Sequence, residues 1–311
     1  MNLTDSALRD GEIPLEHWLI GISLSSTALI VIGLYIPCIM AFLDKDLRSF
    51  DAYTFMLHIG VFDLIQAVMH FISGILTIVP YNYPKHSFDW IFGGMVEAAW
   101  EGYISLSVVL AINRFVQMAM PKRVDQFFSP RLIKLYILLA YLYMLAWLVV
   151  FYSNACNFVF NKNIYLYYFD FSMPGCGLAY DINGNSAYIE LAIMAACYTG
   201  TVFSMKSMLK EMRQGTAEQR NAHRHEIRTT LQLAFLFLLH LLIMGTWTIA
   251  PKYITMTPYH FFAISLLWII LNGSNPFIYL LFNPTIRSKI RALAGKTEIK
   301  TTTVLQFRSD I

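Results

Sequence analysis

The sequence predicts an all-α integral membrane protein. It reads as a bundle of seven transmembrane helices followed by a C-terminal amphipathic helix at the membrane interface. Three observations predict this. Hydrophobic residues make up 57% of the 311-residue chain and charged residues only 14%, whereas a soluble domain carries about 25% charged residues. Seven apolar runs are each long enough to cross about 30 Å of hydrocarbon, which takes roughly 20 residues. Of the 23 Lys and Arg, only Arg9, Lys85, Lys162 and Lys252 fall in the N-tail and the loops on its side. The positive-inside bias therefore puts the N-terminus outside and the C-terminus in the cytosol. A net charge of +3 is too small to imply a nucleic-acid partner.

Residues 1–18 form the outer N-tail, 19–282 the seven-span domain and 283–311 the cytosolic amphipathic helix and tail. The tail carries a glycosylation sequon at Asn2 and no cleavable leader pattern. The first run, Leu19 to Leu43, has no charge, and the second, about Tyr53 to Val79, contains His58, Asp63 and His70. The third, Ile91 to about Met118, contains Glu97, Glu101 and Arg114. The fourth, Leu135 to about Tyr152, is uncharged. The fifth, about Ala187 to Met208, opens with Glu190, and the sixth, Thr229 to Thr248, is uncharged. The seventh, Tyr259 to Phe282, buries Asn272, Ser274 and Asn275 and should kink at Pro276, which lacks an N–H. Beyond it Arg287, Lys289 and Arg291 alternate with Ile286, Ile290 and Leu293 at i, i+4 and i+7. That pattern is a basic amphipathic helix suited to a membrane surface.

The four cysteines form no CxxC pair, which argues against zinc ligation and a thioredoxin motif. Cys156 and Cys176 share the outer loop after the fourth run, on the oxidising side. A disulfide there would close a loop of about 20 residues; two free thiols are the alternative. Cys38 and Cys197 lie within spans as packing residues.

The spacing of residues here resembles a known family. Seven spans with an outside N-terminus and the sequence Asn275-Pro276-Phe-Ile-Tyr279 look like the rhodopsin-like G-protein-coupled receptors. Asn113-Arg114-Phe115 stands where that family has an acidic-Arg-Tyr triplet, Pro121 follows Arg114 by seven residues, and Asp63 takes the place of its buried aspartate. The chain is most similar to the nematode serpentine chemoreceptor class Srt, with class Srx second. Tyr35-Ile-Pro-Cys38, Asp44-Lys45, Ile278-Tyr-Leu and Asn283-Pro-Thr-Ile-Arg287 carry that likeness.

The resemblance implies a plasma-membrane receptor, sensory cilia included, that binds a small-molecule ligand and activates a heterotrimeric G protein without a cofactor. Asp63, Asn113, Arg114, Pro121, Asn275, Pro276 and Tyr279 would form its switch, with Glu226 as one candidate partner for Arg114. The chain also departs from the pattern. Asn113 replaces an acid, no cysteine opens the third run near Asp89-Trp90, and Trp247 precedes Pro251 by four residues instead of two.

Buried ionisable groups must be paired or solvated. Asp63 would face Asn275 or Asn272 through water, with a sodium ion bound or, alternatively, as a protonated and hydrogen-bonded structural aspartate. Glu97 and Glu101, at i, i+4, share a face of the third helix. With Glu190, His260 and the aromatics Trp100, Tyr103, Tyr188 and Tyr198 they suggest an outward-facing pocket for a cationic ligand. Pairing of the glutamates with His260 or a loop lysine is the alternative. Lys206 to Arg228 reads as helix extensions for a G protein or for anionic lipid, and Thr297, Thr301, Thr302 and Thr303 as phosphorylation sites. A second function class is a multi-pass transporter or channel using Asp63, Glu97 and Glu101 as an ion path. An intramembrane enzyme finds no HExxH, GxSxG or second aspartate set.

Overall fold

The computed structural model describes residues 13–79, 89–212 and 217–295. The chain runs α1 (Leu15–Phe42), α2 (Asp51–Ile78), α3 (Asp89–Ala119), α4 (Pro130–Phe151), the hairpin β1 (Phe158–Asn161) and β2 (Leu166–Phe169), α5 (Cys176–Met212), α6 (Ala217–Tyr253), α7 (Pro258–Phe282) and α8 (Pro284–Leu293). Seven of these helices are long and apolar enough to cross a membrane. Short helical turns at Leu47–Ser49, Pro121–Arg123 and Val124–Phe127 join the early spans on the face that bears α8.

Helix ends follow local chemistry. Asn283 ends α7 and caps α8, its side-chain oxygen accepting from the backbone N–H of Thr285 (3.1 Å) and Ile286 (3.2 Å), with Pro284 at the first helical position. Thr257 and His260 form a capping box at the start of α7, again followed by a proline, Pro258. Pro276 lies inside α7 without ending it.

The spans do not share the core equally. In α3, 78% of the central window is buried, against 33% in α1 and 22% in α5, so α3 is the post around which the others stand. It packs on α2, α4, α5 and β1. By contrast α6, among the described residues, lies mainly against α5 and α7 and reaches α3 through the His240 ring. Between apolar helices in lipid, close packing and interhelical hydrogen bonds provide the adhesion, since lipid tails are as apolar as leucine. The α1–α2 seam shows this. A Cβ added at Gly74 would fall 2.6 Å from the Gly21 carbonyl oxygen and 2.2 Å from Ser25 Oγ. Ser25 Oγ also donates to the Phe71 carbonyl at 3.2 Å.

The fifth helix begins at Cys176, well before the apolar run that opens at Ala187. Polar residues such as Asn183 and Asn185 favour loops in isolation, but here tertiary anchoring overrides propensity. The anchor is a disulfide between Cys156 and Cys176, with Cα atoms 4.5 Å apart, which closes the loop after α4, one of the two alternatives the sequence leaves open. Cys38 and Cys197 are free.

The hairpin pairs antiparallel from Phe158 opposite Phe169 to Asn161 opposite Leu166. It lies on the bundle, with Phe158, Phe160, Tyr165 and Tyr167 buried. No cysteine tethers it to α3. Contact is made through Gly93, where a Cβ would sit 1.9 Å from the Phe158 carbonyl oxygen. At the turn, Tyr165 adopts φ of 58°, a left-handed conformation costly for a bulky residue. It is held by its hydroxyl donating to Glu16 of α1 (2.7 Å) and by Ser265 of α7 donating to its carbonyl (2.7 Å).

Candidate ligand pocket and switch

Two buried groups of side chains flank α3, and a third crosses α1, α2 and α7. The third centres on Asp63, fully buried on α2. Its Oδ2 accepts from the Tyr35 hydroxyl of α1 and from Asn275 Nδ2 of α7 at 2.7 Å. The Tyr279 hydroxyl reaches Asn275 Oδ1 at 3.5 Å, and Cys38 approaches the Pro276 carbonyl at 4.0 Å. A carboxylate in an apolar bundle is costly unless hydrogen-bonded, and here two donors converge on one oxygen. Asn272, one turn before Asn275, is also fully buried, and neither atom of its amide has a partner among the described residues. Tyr35 stands in the Tyr35-Ile-Pro-Cys38 stretch of α1. Its signal is a single tyrosine in an aliphatic span, with Gly60 of α2 making room: a Cβ at Gly60 would meet the Tyr35 ring at 3.1 Å.

At the α8 face, Arg114 is 3% exposed and donates to Asn113 Oδ1 at 3.1 Å, with Asn113 itself fully buried. Pro121 opens the short turn that follows α3. The side chain of Glu226 lies outside the described residues, as do those of most of Lys206 to Arg228. Asn2, Lys85 and the threonines from Thr297 onward lie outside them as well.

The pocket residues divide between the two sides of α3. On one side Asn183 of α5 donates to Glu97 Oε1 (2.9 Å) and Glu101 Oε1 (2.8 Å). Tyr143 and Trp147 of α4 and Glu190 of α5 lie close to Glu101. One amide therefore stitches both glutamates to the first turns of α5. Its signal was hidden because Asn183 stood in a stretch that reads as loop. His260 is exposed at the start of α7, bonded to Thr257 in its capping box, and Tyr188 is 52% exposed.

On the other side of α3 stands an aromatic group. The His240 ring of α6 lies nearly parallel to Trp100 (4.9 Å, 18°) and to Tyr103 (6.0 Å, 12°). Trp100 meets Trp268 of α7 edge-on at 5.4 Å. Trp268 touches Trp247 and His70 and donates its indole N–H to Gln66 Oε1 at 2.8 Å. Tyr198 of α5 packs on Phe237 of α6. A small cavity adjoins this group, lined among others by Tyr103, Tyr198, His240, Asn275 and Tyr279. Among the described residues no cluster of three or more His, Cys, Asp or Glu could hold a metal ion.

These features can be set beside known proteins. The family model described as "Serpentine type 7TM GPCR chemoreceptor Srt" matches residues 9–303, nearly the whole chain. The chain belongs to the Srt family. This Srt receptor is also similar in fold to squid rhodopsin, whose crystal structure superposes with a TM-score of 0.72. That match has 17% identity over 93% of this chain and 90% of that one. None of the curated proteins matches it. The Srt receptor is thus a seven-transmembrane chemoreceptor of the G-protein-coupled class, as its sequence motifs imply.

Proposed function

We propose that this Srt receptor binds a small molecule between α3, α5, α6 and α7 below the hairpin, and that the bound form favours a state with α6 displaced. In that state the α8 face, with Arg114 at its centre, catalyses nucleotide exchange on a heterotrimeric G protein. The hairpin face is outward and the α8 face cytosolic, in the plasma membrane. No bond chemistry is required: a ligand shifts the equilibrium by its differential affinity for the two states.

One observation carries this reading. A continuous polar line, Tyr35–Asp63–Asn275–Tyr279, joins three helices inside an otherwise apolar core. Polar groups at this depth cost stability, and their value lies in having two arrangements of partners. The transporter reading has less support, since Asp63 is engaged by α1 and α7 and the glutamates by α5. The test is a ligand screen in cells with a G-protein activation readout, comparing wild type with Arg114→Ala and Trp100→Ala at matched surface delivery. Arg114→Ala should abolish activation by every hit, and Trp100→Ala should weaken each hit at least tenfold. Unchanged activation in both variants would remove the assignment.

A further inference from the structure

We infer that the acids on the α4–α5 side of α3 form a second binding site, entered from the bilayer, for an amphiphile carrying a primary ammonium on an apolar chain. The site is separate from the aromatic group, which lies on the other side of α3. Glu97 and Glu101 stand roughly two to three turns into α3 from its hairpin end. Asn183 donates to one oxygen of each, which spends both N–H donors of its amide. Glu101 is 1% exposed, yet its Oε2 accepts no hydrogen bond, and neither does the buried Oε2 of Glu190. The charges that act on Glu101 are Glu97 and Glu190, and among the described residues no Lys, Arg or His pairs with any of the three. Like charges this close repel, and burial adds to the cost. The group is therefore short of both hydrogen-bond donors and positive charge.

An ammonium supplies both at once. A hydroxyl brings one donor and no charge, and among the described residues the three carboxyls do not make a group that could hold a metal ion. The Trp147 indole, close to Glu101, adds a ring face for the cation. Packing sets the route in. Both α4 and α5 pack on α3, but among the described residues neither is a principal partner of the other. Along the seam between them Tyr143 of α4 and Asn183, Ser186 and Glu190 of α5 are half-buried. On the neighbouring turns Leu142 and Val149 of α4 and Ile182 and Ile189 of α5 are exposed, and in a spanning helix such side chains meet acyl chains. An amphiphile lying along this seam sets its chain against those residues and its ammonium against Glu101 and Glu190.

The test uses the full chain in nanodiscs of phosphatidylcholine, whose quaternary headgroup has no N–H to donate. Thermal unfolding is followed while dodecylamine, dodecanol or butylamine is titrated in. Dodecylamine should raise the wild-type Tm with saturation, and the other two should not at the same concentrations. Glu101→Gln and Glu190→Gln keep the side-chain shape and each remove one charge. Each should leave the ligand-free Tm unchanged or higher and weaken dodecylamine binding roughly tenfold to a hundredfold, as loss of a charged hydrogen-bond partner does. Wild-type affinity in either variant, or no rise in the wild-type Tm, overturns the site. An equal response to dodecanol overturns the ammonium, and an equal response to butylamine overturns entry from the bilayer. No G protein takes part, so this result and that of the ligand screen above stand or fall separately.

Discussion

Replacing Tyr35 by phenylalanine deletes one hydroxyl and, with it, one of the two donors on Asp63. Leaving a buried carboxyl under-satisfied costs about 1–3 kcal/mol, so Tyr35→Phe should lower the thermal midpoint of the receptor in nanodiscs by several degrees. Asp63→Asn combined with Tyr35→Phe should cost less than the two single changes added, because the partners act as a unit. At this scale the sequence exposed the expensive group and its partner Asn275 but hid the second partner, Tyr35. Asp63 stands out because lipid cannot satisfy a carboxylate, whereas a tyrosine in an apolar span carries no such penalty and gives no warning. Glu97 and Glu101 were legible for the same reason. Trp100 lies between them and Tyr103 just after them on the same helix, and only the three-dimensional packing reveals that these rings serve the opposite side of α3. His240 gave no signal at all beyond being a lone histidine in an uncharged run.

Among the elements, the hairpin and α8 each depend on a contact that can be broken singly. Any side chain at position 93 would occupy the Phe158 carbonyl, so Gly93→Leu should lift the hairpin and raise the rate of limited proteolysis between residues 156 and 176. Reducing the Cys156–Cys176 bridge should act in the same direction, at a cost of about 3 kcal/mol for a loop of this length.

On the other face Lys289 of α8 bridges Asp44 (2.9 Å) and Asp46 (2.8 Å) in the loop after α1. Burial pushes the Asp44 carboxyl up, but the hydrogen bond from Lys289, with help from the Asp46 backbone N–H, holds it below its ordinary value. Hydrogen bonds to Asp46 and Asp44 hold Lys289 above its own ordinary value. A lowered carboxyl contributes above about pH 4 and is lost as the pH falls through its lowered pKa. A raised amine contributes below about pH 10 and is lost as the pH rises past its raised pKa. A spin label introduced by Arg291→Cys should therefore show constant mobility across the neutral range and loosen only in strong acid or strong base. Lys289→Glu should loosen it at neutral pH, modestly, since such partly exposed pairs are worth about 0–1 kcal/mol. The start of α5 was not legible from hydropathy, because Cys176 to Ser186 is polar and becomes helical only when stapled and bound to Glu97 and Glu101.

For the molecule as a whole, the fold class was legible because the bilayer imposes a length and a composition on every span. The division of labour among helices was not. Hydropathy marks α3 as the more polar run, interrupted by Glu97, Glu101 and Arg114 where the sixth run is uncharged, but it does not reveal that α3 is the buried post while α6 stands at the edge of the bundle. That difference is what the account needs, since a receptor must have one helix able to leave while the rest stay. The most direct measurement of the central claim is basal nucleotide exchange on a panel of G-protein heterotrimers, with purified receptor in nanodiscs and no ligand added. Wild type should accelerate exchange on at least one heterotrimer above empty discs, and Arg114→Ala, folded to the same thermal midpoint, should return it to the empty-disc rate. Equal exchange by wild type, by Arg114→Ala and by empty discs across the panel would contradict it.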